Sequence, residues 1–84
     1  MKHNKRLKSA ILQVVENQID LNDPPETKQT LNRLVSEGIS EKKAKELIGS
    51  VVAAEVFEVL KKGEEFDKNR FVTALNKLPE IPGE

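Results

Sequence analysis

The sequence of 84 residues contains no cysteine, tryptophan or tyrosine, and a single histidine. Without cysteine there are no disulfides and no thiol chemistry, which favours an intracellular location, and we expect a cytoplasmic protein. Because the histidine is His3, next to the N-terminus, no serine–histidine–aspartate triad can be assembled. A glycine-rich phosphate loop is also missing. We therefore predict no catalytic residue and no cofactor.

An excess of charge of either sign is absent too. Fourteen Lys and Arg residues balance fourteen Asp and Glu residues, so no overall field favours nucleic acid or a membrane surface. No segment reaches the roughly 18 consecutive apolar residues of a membrane span. The basic start, residues 2–8, is interrupted by polar residues before any long apolar run, unlike a signal peptide. Such a charge run is typical of a solvated helix start, with a phosphate-binding arm as the alternative.

What the sequence does contain is the pattern of a small helical domain. At this length the chain forms one domain, residues 1–84, with a marginal core. We predict an all-α fold, a small four-helix bundle-like domain with a long central third helix. The helices are expected near residues 4–20, 24–37, 41–62 and 68–77, with no strand, and residues 1–3 and 79–84 are expected to be flexible ends.

The third helix contains the longest apolar stretch, residues 44–60. One stripe at helical spacing consists of Ala44, Leu47, Ile48, Val51 and Val52. Val56, Phe57 and Leu60 continue on a rotated face, so the two halves of the helix are predicted to pack against different helices. Gly49 interrupts the stretch at a cost of about 1 kcal/mol relative to alanine, which is tolerable if another backbone approaches there.

The other three helices are each predicted to turn one apolar stripe inward. In the first helix the stripe is Leu7, Ile11, Val14, Gln18 and Leu21, with Ala10 and Val15 at its edges. The stripe of the second helix is Thr27, Leu31, Leu34 and Val35, and that of the fourth is Phe71, Val72, Leu75 and Leu78.

Helix ends are marked by local signals. Asp23 is predicted to cap the second helix, with Pro24 as its first residue and Glu26 completing a capping box. Gly38 suits the end of that helix and Gly63 the end of the third. Ser40 and Asp67 are the predicted N-caps of the third and fourth helices, and Phe66 is expected to pack on Phe71 as a hydrophobic staple.

Four polar residues form the candidate site: Gln18, Arg33, Glu55 and Glu58. Glu55 follows Val51 by one turn, so we predict that it is at least half buried and hydrogen-bonded. Gln18, an amide on an apolar stripe, is its first candidate partner and Arg33 the second, while a structural bond from Gln18 to a loop is the simpler interpretation. Glu55 and Glu58 have the spacing of a Glu-x-x-His metal motif without its histidine, so no metal is predicted.

A set of residues spread over positions 4–79 resembles a small bacterial all-helical family of unknown function. The set comprises Gln18, Asp23-Pro24-Pro25, Arg33-Leu34, Gly38, Ala44, Ile48, Glu55 and Leu78-Pro79. Members of that family carry a His-x-x-x-His pair in the first helix and a later histidine, which align with Lys8, Leu12 and Glu46 of this sequence. The resemblance implies an all-helical cytoplasmic protein whose histidine site, if it binds metal in relatives, is missing here.

Two classes of function remain. The first is a non-enzymatic module that binds itself, as a homodimer, or an unknown protein partner; a small core and a widely apolar helix favour it. The alternative is the remnant of a metal-dependent or hydrolase-like enzyme, with Glu55, Glu58 and Gln18 as its residual polar site. A helix-turn-helix nucleic-acid binder is disfavoured because the third helix is too apolar for a major groove.

Overall fold

The structure, a computed structural model, describes residues 5–81. In this range the chain forms four α-helices and no strand, which confirms the predicted all-α architecture. The helices are α1 (Lys5–Leu21), α2 (Pro25–Ser36), α3 (Glu41–Lys62) and α4 (Lys68–Lys77). The predicted helix start at residue 4 and the flexibility predicted for residues 1–3 and 82–84 lie outside the described residues. Ile81, in the segment predicted to be flexible, packs against the core.

The third helix is central, as predicted. α3 packs against each of the other helices, and α2 packs against α1 and α4 as well, whereas α1 and α4 do not pack against each other. The core between them is aliphatic apart from one phenylalanine and consists of Val15, Leu31, Leu34, Ala44, Leu47, Ile48, Val51, Val52, Phe71, Leu75 and Leu78. The missing contact between α1 and α4 leaves one side of α3 open between them.

The face that α1 turns inward differs from the predicted stripe. Val15 is its fully buried residue, while Leu7, Val14 and Leu21 are exposed. The sequence of α1 offers apolar residues on two adjoining faces, and tertiary packing selects one of them. A Cβ atom on Gly49 would lie 3.3 Å from Cγ2 of Ile11, and 3.7 and 4.0 Å from side-chain carbons of Leu12 and Val15. Gly49 therefore leaves room for side chains of α1 where the two helices cross. The prediction that a second backbone approaches Gly49 is wrong.

In α2 and α3 the predicted faces are partly correct. Thr27, Leu31 and Leu34 are buried, but Val35 is exposed, and Thr30 takes a buried place with its hydroxyl donating to the Glu26 carbonyl at 2.7 Å. The first stripe of α3 is buried in full. The second half of α3 packs only in part as predicted, since Glu55 is joined to the start of α4 but Val56, Phe57 and Leu60 are exposed. In α4 the predicted Phe71, Leu75 and Leu78 are buried and Val72 is half-buried.

The predicted caps of α3 and α4 are confirmed. Ser40 Oγ accepts from the Lys43 N–H at 3.1 Å, and Asp67 Oδ1 accepts from the Arg70 N–H at 3.0 Å. The rings of Phe66 and Phe71 pack with their centroids 5.4 Å apart. Gly38 and Gly63, which follow α2 and α3, have φ of 94° and 65°, as expected for residues that end helices.

The predicted cap of α2 is wrong. The N-cap is Pro24, Pro25 is the first helical residue, and no side chain accepts a capping hydrogen bond. The reason is local: a residue that precedes proline is disfavoured in the helical region, so Pro24 stays extended and the helix begins at Pro25. Asp23 consequently lies one residue outside the cap position, and Glu26 does not form the predicted capping box.

Candidate functional site

Glu55 is buried near the C-terminal half of α3, and the prediction of a buried, hydrogen-bonded carboxylate is confirmed. Its side chain is 6% exposed. Arg70 donates from Nε to Oε1 at 2.9 Å and from Nη2 to Oε2 at 2.8 Å, and the Asp67 N–H donates to Oε2 at 3.0 Å. These three bonds join α3 to the start of α4, and we call them the Glu55 clamp.

The partners predicted for Glu55 are not its partners. Gln18 Oε1 accepts from the Thr27 hydroxyl at 2.9 Å, which ties α1 to α2. Arg33 donates to the carbonyls of Leu75 and Leu78 at 3.1 and 3.0 Å, at the C-terminal end of α4. Glu58 pairs instead with Lys62 at 3.0 Å on the surface. Each of the four candidate residues thus has a separate structural partner.

Arg70 is the residue that sequence reasoning missed. A short connection, residues 63–67, separates α3 from α4, so the first turn of α4 must lie close to the last turns of α3. The N–H groups and the guanidinium of that turn are therefore the nearest donors to Glu55. The short length of this connection could have indicated a partner for Glu55 in the first turn of α4. The apolar stripe of α1 instead suggested Gln18.

The electrostatics of the Glu55 clamp favour its charged form. The hydrogen bonds from Arg70 lower the pKa of Glu55 below its usual value; burial opposes this shift, and the Asp67 N–H reinforces it. The same contact raises the pKa of Arg70. Glu55 is thus held as an ionised carboxylate with both oxygens engaged. Chemically this arrangement fixes the start of α4 on α3 and does not resemble an exposed acid or base.

An apolar groove lies beside the Glu55 clamp, where α1 and α4 leave α3 uncovered. It has a volume of about 250 Å³ and is almost entirely apolar. Its wall on α1 includes Val14 and Gln18, and its floor and other wall are formed by Val52, Glu55, Val56, Val59, Leu60, Phe66 and Phe71. We refer to these residues as the apolar groove.

The face of α3 that forms this groove becomes more exposed toward the C-terminal end of the helix. Gly49, Ala53, Val56 and Leu60 share one side of the helix because they are spaced by three or four residues. Gly49 is buried and Ala53 half-buried, whereas Val56 is 50% and Leu60 78% exposed. Phe57 adjoins this row, is 63% exposed, and has Lys61 Nζ 5.9 Å from its ring centre. The C-terminal half of α3 therefore presents an apolar face that no described helix covers.

A second, charged pocket lies between α1 and the start of α3. Lys8, Leu12 and Glu46, the three positions aligned with the histidines of the resembled family, all line it. Lys8 Nζ lies 3.1 Å from Glu46 Oε2, and this contact lowers the pKa of Glu46. The structure thus brings the three positions together, and an ion pair and a leucine occupy them.

Among residues 5–81 there is no group of three or more His, Cys, Asp or Glu side chains placed to hold a metal ion. Over the same range, no helix has the length and apolar character that crossing a membrane requires.

Comparisons with known proteins supply no further assignment. No protein-family model, curated protein or solved structure matches this sequence. The resemblance to the histidine-bearing family accordingly stays a prediction.

Proposed function

We propose that this chain is a non-enzymatic cytoplasmic interaction module that binds itself or another protein through the apolar groove. The observation that carries the proposal is the uncovered C-terminal half of α3. Val56, Leu60 and Phe66, which line the groove, are 50, 78 and 52% exposed. Single exposed apolar residues are common, but a contiguous group bordering a groove is typical of a binding surface.

The spacing of these residues favours a helix as the bound element. Ala53, Val56, Phe57 and Leu60 follow the i, i+3, i+4, i+7 pattern of a helix face that packs against another helix. In the first half of α3 the equivalent face is covered by α1, with Gly49 at the crossing. A helix laid in the groove would continue that packing over the second half.

The groove can be filled without burying an unpaired charge. Its one ionised residue, Glu55, already accepts hydrogen bonds from Arg70 and Asp67. Gln18, its amide residue, already accepts from Thr27. The desolvation cost of covering a carboxylate is therefore largely met within the fold, and the exposed apolar area is free to contribute to binding.

A photo-crosslinking amino acid placed at position 60 tests this proposal. The matched control is position 35, since Val35 is also an exposed apolar residue in the last turn of a helix, but on α2. We expect adducts with one defined species, this chain or another protein, at position 60 and not at position 35. Irradiation in intact cells that gives no adduct at position 60 above the level at position 35 would contradict the proposal.

The alternative, a remnant of a metal-dependent or hydrolase-like enzyme, is favoured by one observation. Lys8, Leu12 and Glu46 converge in the charged pocket, as a former three-histidine site requires. Placing histidine at all three positions tests it, because imidazole nitrogens at suitable distances bind zinc. Zinc retained by the triple variant, measured by calorimetry, would support descent from such a site; failure of the folded variant to bind zinc would contradict it.

A further inference from the structure

α4 is attached to the outside of a core that the other three helices form among themselves. Within residues 5–81, α1, α2 and α3 pack against one another in all three pairs, whereas α4 packs only against α2 and α3. The core residues that depend on α4 and the turn after it are Phe71, Leu75 and Leu78. A helix of ten residues is too short to be stable in water by itself, so α4 is helical because it is docked.

A groove lies on each side of the line where α4 meets the second half of α3. On one side is the apolar groove. The second groove has a volume of about 350 Å³, and its lining includes Ala54, Phe57 and Ala74. Glu55 and Phe71 line both grooves, so the contact between α3 and α4 is what separates them. Moving α4 away would join the two grooves.

Two arginines fasten the two ends of α4. At its start Arg70 belongs to the Glu55 clamp, and at its end Arg33 of α2 donates to two backbone carbonyls. Both arginine side chains are 35% exposed, so water can replace their bonds when α4 moves away. Gly63, in the connection before α4, has a positive φ and no neighbour within 4 Å of its Cβ position. It therefore supplies a hinge with wide conformational freedom.

We propose that α4 is a releasable lid: it separates from α2 and α3 as a unit, about Gly63, while the other three helices stay folded. Release joins the two grooves into one apolar face of α3 from Val51 to Leu60, about 14 Å long, which is enough for several turns of a partner helix. In the docked state α4 occupies the middle of this face and competes with the partner. The inference rests on the proposed function, because it describes the regulation of the same surface.

Hydrogen exchange of the native full chain, followed for each amide by NMR, tests the release. We expect the amides of α4 to exchange at least about tenfold faster than the slowest amides of α1, because they require only the lid to open. Val15→Ala, where α1 crosses α3, should speed exchange in α1 by about tenfold or more. It should leave α4 unchanged, since the docked and released states lose the same packing.

Arg33→Gln makes the opposite distinction. It removes the bonds at the end of α4, which are broken both in the release and in global unfolding, so exchange should become about tenfold faster in α4 and in α1. Lys28→Gln, which removes an exposed cation from α2, is the matched control and should change neither rate.

Equal rates for α4 and the slowest amides of α1 in the wild type would overturn the lid, because α4 would then open only with the whole fold. So would a Val15→Ala variant in which both helices exchange faster by the same factor. Ile11→Val, a smaller change at the same crossing, replaces Val15→Ala if far-UV circular dichroism shows that variant to be unfolded.

The crosslinker at position 60 tests what the lid regulates. If the partner binds only the released state, its apparent affinity rises with the released fraction, so Arg33→Gln should raise the adduct yield by up to about tenfold. Arg33 lines neither groove as the described residues form them, so the variant leaves the binding surface itself intact. Lys28→Gln should give the wild-type yield.

The outcomes separate this inference from the proposed function. Adducts at position 60 whose yield Arg33→Gln leaves unchanged or lowers would overturn the regulatory lid, while the proposed function stands. No adduct above the level at position 35 in either chain contradicts the proposed function and with it the regulatory role of α4. The release of α4 is then still decided by the exchange rates alone.

Discussion

Replacing Glu55 with glutamine tests the Glu55 clamp most directly, because the side chain keeps its size and loses its charge. In the wild-type protein the carboxylate accepts two hydrogen bonds from Arg70 and one from the Asp67 N–H. The glutamine amide offers one oxygen in place of two. Its NH₂ group would face a donor, so at least one of the three bonds is replaced by a donor–donor contact.

The expected cost follows from the number of bonds altered. A hydrogen bond to a charged group contributes about 1.5–3 kcal/mol, and removing one partner of a buried pair costs about 3–5 kcal/mol. Glutamine retains one acceptor, and Arg70 is 35% exposed, so water partly replaces its lost contact. We therefore expect Glu55→Gln to lower the free energy of unfolding by about 2–4 kcal/mol, a large share of the roughly 5–15 kcal/mol typical of a domain.

Urea unfolding followed by far-UV circular dichroism measures this change, since the protein lacks tryptophan and tyrosine for fluorescence. The cost should depend on pH. Because the folded-state pKa of Glu55 is lowered, its stabilisation is fully present above its usual pKa and is lost as pH falls through the folded value. The wild type and the variant should differ most near pH 7 and converge in acid.

The control is Glu58→Gln, which makes the same chemical change three residues away on α3. Glu58 pairs with Lys62 on the surface, and the side chain of Lys62 is 52% exposed. A surface pair of this kind contributes little to stability, because water screens both charges. Equal losses for the two variants at pH 7, or a loss for Glu55→Gln that does not shrink in acid, would refute the clamp as described.

Two further predictions concern helix packing and helix ends. Asp67→Ala should lower the free energy of unfolding by about 0.5–2 kcal/mol because it removes the cap on the Arg70 N–H, whereas Asp23→Ala, which removes no cap, should cost less than about 0.5 kcal/mol; equal urea midpoints for the two variants would contradict the assignment. Gly49→Val should cost about 1–3 kcal/mol, measured in the same assay, because even a Cβ atom there lies 3.3 Å from Ile11 and two further methyl groups would clash with α1. A Gly49→Val variant as stable as the wild type would show that α1 does not cross at this position.

Within the described residues, the sequence by itself determined the number of helices, their bounds to within one residue and two of their three predicted caps. These features depend on interactions between residues close together in the chain. The side chains of Ser40 and Asp67 each accept a hydrogen bond from the backbone N–H three residues later. Gly63 adopts the positive φ that ends α3. The cap of α2 was missed because two prolines in succession made two starts possible, and the conformational restriction before proline selected the later one.

Tertiary structure alone decided which apolar faces are covered and which groups meet. α1 has two apolar faces that are nearly equivalent in sequence, and the close approach at Gly49 selected the one containing Val15. The periodicity of α3 required Glu55 to be buried, but the identity of its partner depended on how the connection after Gly63 returns the chain to α3. Only the separation of α1 from α4 leaves the second half of α3 open, since an apolar stripe in sequence is the same whether a neighbouring helix covers it or not.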